Sequence, residues 1–181
     1  PRFEKETYNI INLYDVNTNK RKKISTQSRL YNPIISTDLT TLLAVGIDSV
    51  NRSYLAFYDI EKHIWKTRKY LPEGIHIIQP QFNPTNDKII GIGISEKGTN
   101  LVEVNLKNLS LNTLLEWSNL ELERPSYYKD GIIFKANQSH KDNVYYLEEG
   151  KFYLLSNSKY GAFNPISHNN ILYYSDYQVD G

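Results

Sequence analysis

The 181 residues contain neither cysteine nor methionine. The first absence removes disulfides, thiolate metal sites and cysteine nucleophiles together, while leaving the compartment open. The second means that Pro1 does not read as a translation start, so the chain is expected to be a segment of something longer. A charge of one sign is also missing: 21 basic against 20 acidic residues leave a net charge of +1. Holding phosphates needs a basic footprint, so no nucleic-acid partner is expected. No run approaches the ~18 consecutive apolar residues of a spanning helix, so no membrane insertion is expected, and the first residues do not read as a leader peptide. Helical periodicity is scarce as well. In the best candidate, Asn112 to Glu123, the apolar residues Leu114, Leu115, Trp117, Leu120 and Leu122 suit neither template well and can be read as a strand followed by a loop.

What is present tilts toward strands. Fifteen tyrosines stand among many Ile, Val, Phe and Thr. Ile78 to Ile92 reads as a strand, the turn Asn83-Pro84-Thr85-Asn86-Asp87, and a second strand, with Pro80 suited to a strand's entry. The pattern recurs at Tyr31 to Val45, Arg124 to Phe134 and Asn164 to Tyr174. The anchoring prolines Pro33, Pro80, Pro125 and Pro165 are separated by 47, 45 and 40 residues, the period of propeller blades of about four strands.

A second strand pair follows each hairpin: Leu55 to Ile60 with Trp65 to Arg68, Leu101 to Leu106 with Leu111 to Leu115, and Val144 to Leu147 with Phe152 to Leu155. Tyr8 to Val16 with Arg21 to Ile24 is the same unit without its hairpin. Asp15, Asp59 and Asn105, spaced by 44 and 46 residues, close the first strand of such pairs. The expected fold is therefore all-β, a β-propeller of four-stranded blades. An outer half-blade at 8–25, blades at about 30–68, 78–115 and 124–155, and an inner half-blade at about 162–174 account for residues 1–181. This is a segment of a larger propeller or, if the two halves combine, a closed four-bladed ring.

Ile35-Ser36-Thr37-Asp38 and Phe82-Asn83-Pro84-Thr85-Asn86 resemble degenerate forms of the Ser-Pro-Asp-Gly turn of the TolB-like, WD-like propeller repeat family. Leu13-Tyr14-Asp15-Val16 followed by Arg21 to Ile24 is similar to that family's outer pair. No copy keeps the full motif: Thr37 stands in the proline's place, and Lys129-Asp130-Gly131 and Ser167-His168-Asn169 keep fragments. The resemblance implies a propeller of six or more blades in most cases, commonly in the bacterial envelope, so a periplasmic or otherwise exported location. It also implies frequent fusion to a peptidase or a lipoprotein-binding domain.

No catalytic motif assembles. His63, His76, His140 and His168 lack the spacing that sets two imidazoles on one helical face, and no metal or other cofactor is expected. His63 and His168 are expected in turns, and His76 and His140 in loops at the other end of the blades. Gly93-Ile94-Ser95-Glu96-Lys97-Gly98 has its second glycine one place too far for a nucleophile elbow and reads as a loop leaving a strand. The run Lys20-Arg21-Lys22-Lys23 reads as a solvated face.

Function is expected on the loops that join second to third strands and blade to blade, because a rigid scaffold concentrates binding there. The candidates are Asp48, Arg52 and His140 from the strand connections, and Arg29, Tyr70, His76, Trp117, Glu123 and Tyr160 from the blade links. Aromatic, acidic and basic groups mixed in this way suit a protein or peptide partner. The expected function is a non-catalytic binding module. The alternatives are the propeller region of a larger peptidase, with catalysis in another domain, and a carbohydrate-binding propeller that uses Tyr70, Trp117 and Tyr160 as stacking platforms.

Overall fold

The computed structural model describes residues 9–25, 29–138 and 140–179. Among them every regular element is a strand. The chain divides into two compact units, Pro1–Glu73 and Gly74–Gly181. In the first unit β1 (Asn12–Asp15) pairs with β2 (Lys20–Lys23). A second sheet runs through β3 (Leu30–Ile35), β4 (Thr41–Ile47), β5 (Ser53–Asp59) and β6 (Ile64–Trp65), and β7 (Lys69–Tyr70) returns to β5. In the second unit β8 (His76–Phe82), β9 (Lys88–Ser95), β10 (Gly98–Asn105) and β11 (Leu111–Thr113) form one antiparallel sheet. The next is β12 (Leu122–Tyr128), β13 (Gly131–Ala136), β14 (Asn143–Glu148) and β15 (Lys151–Leu154), followed by the pair β16 (Ala162–His168) and β17 (Ile171–Asp176). The fold is an all-β propeller of four-stranded blades, with a strand pair before and after the complete ones.

The burial of the middle strands explains their composition. β13 is buried along its whole length, and β4 and β9 are each buried over five consecutive residues. A strand covered on both faces is apolar throughout rather than alternating, as Leu42-Leu43-Ala44-Val45 and Ile89-Ile90-Gly91-Ile92 are. In the second unit Ile90, Ile92 and Leu101 of one blade share a core with Leu122, Phe134 and Tyr145 of the next. Phe134, Tyr145 and Phe152 add an aromatic cluster with ring centroids 4.7–6.1 Å apart. Burying one such ring contributes roughly 1.5–3 kcal/mol.

The four anchoring prolines hold equivalent places. Each sits in a β-bulge of its blade's first strand, where the pairing slips by one residue: between Tyr31 and Ile34, Ile78 and Gln81, Glu123 and Ser126, and Phe163 and Ile166. A bulge leaves residues outside the ladder, and proline, with no N–H to donate, fits there. The other repeated landmark is a turn device. Asp15, Asp59 and Asn105 each accept a 2.9 Å bond through Oδ1, from the backbone N–H of Asn17, Lys62 and Lys107 respectively.

Several sequence expectations are corrected. The outer pair is regular over β1 and β2 and continues through Ile24 N–H and Ser25 N–H onto Ile11 O, while Tyr8 lies outside the described residues, as do Pro1 to Thr7. The link after the first complete blade is partly strand: Tyr70 pairs with Tyr54, and their rings meet edge to face at 5.7 Å. That contact carries the sheet past the break at 66–68. His76 opens β8 and Glu123 is the second residue of β12 rather than lying in loops, because their partners Ile94 and Lys135 extend the ladders that far. His168 closes β16 opposite Ile171, leaving Asn169-Asn170 as a two-residue turn with both φ positive. The loop expected at Gly93 to Gly98 is likewise a two-residue turn, Glu96-Lys97, with Gly93 to Ser95 in β9 and Gly98 in β10. The inner pair runs past 174, since Ser175 and Asp176 belong to β17.

Candidate functional site

In the first unit the β4–β5 loop is held by Asp48. Its Oδ1 accepts from the backbone N–H of Val50 at 3.1 Å and of Arg52 at 2.8 Å. Its Oδ2 takes the Arg52 guanidinium at 2.9 Å. The backbone bond from Arg52, foremost, holds the Asp48 carboxyl below the ordinary carboxylate value. Arg52 then lies over the Tyr70 ring at 4.6 Å, and Arg68 over Tyr54 at the same distance. Three residues chosen from sequence, Asp48, Arg52 and Tyr70, thus meet in one cluster, while Arg29 stands exposed before β3.

The second unit supplies a residue the sequence reading missed. Lys135, on β13, has a side chain only 4% exposed, set between Asp142 at 2.8 Å and Glu123 at 3.3 Å. Burial works against its charge, but the bonds and charges of the two carboxylates outweigh it and raise the ammonium above its ordinary value. Asp142 Oδ1 is buried without a well-aligned hydrogen bond, so this ammonium is its compensation. The trio ties the β13–β14 loop to the start of β12. The one signal in the sequence is a lone charge inside Ile132-Ile133-Phe134-Lys135-Ala136.

Beside that trio an open cleft of about 420 Å³ runs between the β9–β10 end of one blade and the chain entering β12. Its floor is apolar, with Ile78, Ile92 and Leu122, and its rim carries Asn119, Glu121 and Glu123. The link is fixed by a bridge in which Thr99 N–H donates to Ser118 O at 2.7 Å and Ser118 N–H returns to Thr99 O at 3.1 Å. Gly98, at φ 104°, makes room for it, since a Cβ there would meet Ser118 O at 2.2 Å. Glu121 is exposed, its N–H held by Asn137 Oδ1 at 2.9 Å and its carboxylate unpaired among the described residues.

Of the other residues chosen from sequence in this unit, Glu123 belongs to the trio. Trp117 lies half-buried against its own blade, its ring 3.2 Å from where a Cβ on Gly93 would stand. His76 is half-buried at the head of β8, and His140 is an exposed turn residue at φ 60°. Tyr160 is 50% exposed, with Lys159 Nζ 5.2 Å from its ring.

No family model matches the chain, and no curated protein matches it by sequence. Solved structures do match in fold. An oligogalacturonate lyase in complex with manganese superposes over 94% of this chain and 53% of its own, with a TM-score of 0.73 and 15% identity. TolB from Acinetobacter baumannii gives 86% and 39%, with 0.71 and 13%. The β-propeller domain of the Trilobed protease from Pyrococcus furiosus gives 93% and 56%, with 0.63 and 14%. The fold is that of TolB-like propellers, some of them domains of enzymes. The chain spans between about two fifths and just over half of these structures.

Proposed function

We propose that this chain is a non-catalytic propeller module that takes a protein or peptide partner at the loop end of its blades. The observation that carries the reading is the cleft beside Lys135: an apolar floor, an acidic and amide rim, and a backbone fixed by the Thr99–Ser118 bridge. A fixed cleft loses little conformational entropy when an extended segment enters it. The unpaired Glu121 suits a segment bearing basic or amide groups. The envelope or exported location implied by the resemblance belongs to the same proposal, and fractionation of cells making the native protein tests it.

The decisive experiment places a photo-crosslinker at Glu121 or at Lys107, which lies in the β10–β11 turn at the opposite end of the blade. A partner captured from the protein's own cells at Glu121 and not at Lys107 supports the loop end. Equal capture at both, or capture only at Lys107, removes it.

The likeness to the Trilobed protease propeller favours a second reading, in which the partner is a peptidase domain of the same polypeptide. A Gly-x-Ser-x-Gly elbow or a His-Glu-x-x-His helix beside this segment in the full-length sequence would select it.

A further inference from the structure

The residue before each anchoring proline lies in the left-handed region: Asn32 at φ 47°, Gln79 at 49°, Arg124 at 52° and Asn164 at 51°. Asparagine tolerates this conformation, whereas glutamine and arginine adopt it at a cost of about 1–2 kcal/mol. Gln79 offsets that cost, because its Oε1 accepts the backbone N–H of Arg124 at 2.6 Å. The same bond holds the Arg124 backbone, but nothing among the described residues engages the Arg124 guanidinium. Its side chain makes no ion pair or hydrogen bond among the described residues, and the residue is exposed. A backbone held in this conformation while its guanidinium is left unengaged points to a ligand.

What Arg124 faces is a cavity of about 480 Å³ bounded by β12 and β16, innermost strands of successive blades. Gln81, Ser126 and Asn164 line it too, and their side chains are equally unengaged among the described residues. The two anchoring prolines and Ile166, itself 61% exposed, supply an apolar wall. Glu123 does not compete for the guanidinium. It borders the loop-end cleft instead and pairs with Lys135.

We propose that this cavity is a carboxylate subsite for the peptide partner, with Arg124 as its anchor. The planar guanidinium fork matches a carboxylate through two parallel hydrogen bonds, and the hydroxyl and the two carboxamides add donors around it. The apolar wall suits the methylene stem of an acidic side chain, or the last residue of a chain, better than the hydroxylated ring of an acidic sugar. The subsite rests on the reading of a peptide partner.

The test follows the Arg124 Nε–H resonance while the protein is titrated with Ac-Gly-Glu-Gly-NH2, Ac-Gly-Gly-Ala as the free acid, Ac-Gly-Gln-Gly-NH2 and galacturonate. The expected result is a saturable shift with at least one peptide acid, about ten-fold weaker or absent with the glutamine peptide. Which acid wins distinguishes side chain from chain end. In Arg124→Asn the neighbouring Ser126 and Asn164 signals no longer respond, yet the protein melts no lower than the parent, because Asn fits the backbone already seen at Asn32 and Asn164. Arg124→Gln, with the side chain that Gln79 shows this conformation accepts, is the second variant. Unchanged titration of Ser126 and Asn164 in either variant overturns the proposal. So does a melting temperature lowered by several degrees in both, which makes Arg124 structural, or galacturonate binding tighter than either peptide. If the acids bind while no crosslink forms at Glu121, the loop-end reading falls alone; the converse removes only the subsite.

Discussion

The Tyr127 hydroxyl on β12 donates a 3.1 Å hydrogen bond to Glu103 Oε2 on β10, and so joins neighbouring blades of the second unit. Glu103 Oε1 takes Lys88 Nζ at 2.9 Å. Burial, reinforced by the Glu103 charge, pushes the phenol above its ordinary value, so it remains a donor throughout the working pH range. Tyr127→Phe leaves Glu103 paired with Lys88 and is expected to cost about 0.5–1.5 kcal/mol. Glu103→Ala strands both partners and is expected to cost more. Urea unfolding of both single variants and the double variant measures the coupling, and additive costs would show that the bond contributes nothing.

Leu39 occupies the turn position where the Ser-Pro-Asp-Gly pattern has glycine. Its φ is 61° and it is 70% exposed, so it carries backbone strain without packing in return. Asn86, at φ 60°, fills the equivalent place in the next turn. Leu39→Asn is expected to stabilise by roughly 0.5–1 kcal/mol, since asparagine tolerates this conformation. Thermal melting should rise by about 1–4 °C; a fall would show that the Leu39 side chain packs in solution.

Lys135 should contribute to the alkaline limb of stability. Its folded pKa is raised, so its contribution is complete below the unfolded value near 10.5 and is lost as pH climbs through the higher folded value. Lys135→Ala leaves the half-buried Asp142 carboxylate without its ammonium, an expected loss of about 1–3 kcal/mol. Lys135→Met combined with Asp142→Asn and Glu123→Gln should recover much of that and flatten the limb above pH 10.5. An alkaline limb as steep in the triple variant as in the parent would assign it to other groups.

The acid limb belongs in part to the turn carboxylates. Asp38 is held below the ordinary 3.8 chiefly by the Ser36 hydroxyl, and Asp87 chiefly by the Thr85 hydroxyl. Depressed values mean stability that is present above the unfolded value and lost as pH falls through the folded one. Asp38→Asn with Asp87→Asn should lower stability at pH 7 and make it less pH-dependent below about pH 4. Melting curves between pH 2 and 7 check this.

Much of this was legible in the sequence because it is local chemistry repeated. Proline cannot serve a ladder, so four prolines at blade spacing mark four bulged first strands, and Asp15, Asp59 and Asn105 mark short turns closed by a side-chain oxygen on a backbone N–H. The cluster of Asp48, Arg52 and Tyr70 was partly legible, since Asp48 and Arg52 lie in one loop. Tyr70 was misplaced in a link because its pairing depends on Tyr54, sixteen residues earlier.

What the sequence alone determined is the blade: strand order, turn chemistry and the apolar middle strands, all set by residues near one another in the chain. Only the tertiary structure decided which polar groups meet. Glu123, Lys135 and Asp142 converge because β12, β13 and β14 share one register, and Arg124 reaches Gln79, a full repeat away, because both lie at bulges of innermost strands. Such meetings follow from how strands and blades stack, which no window shorter than a repeat contains.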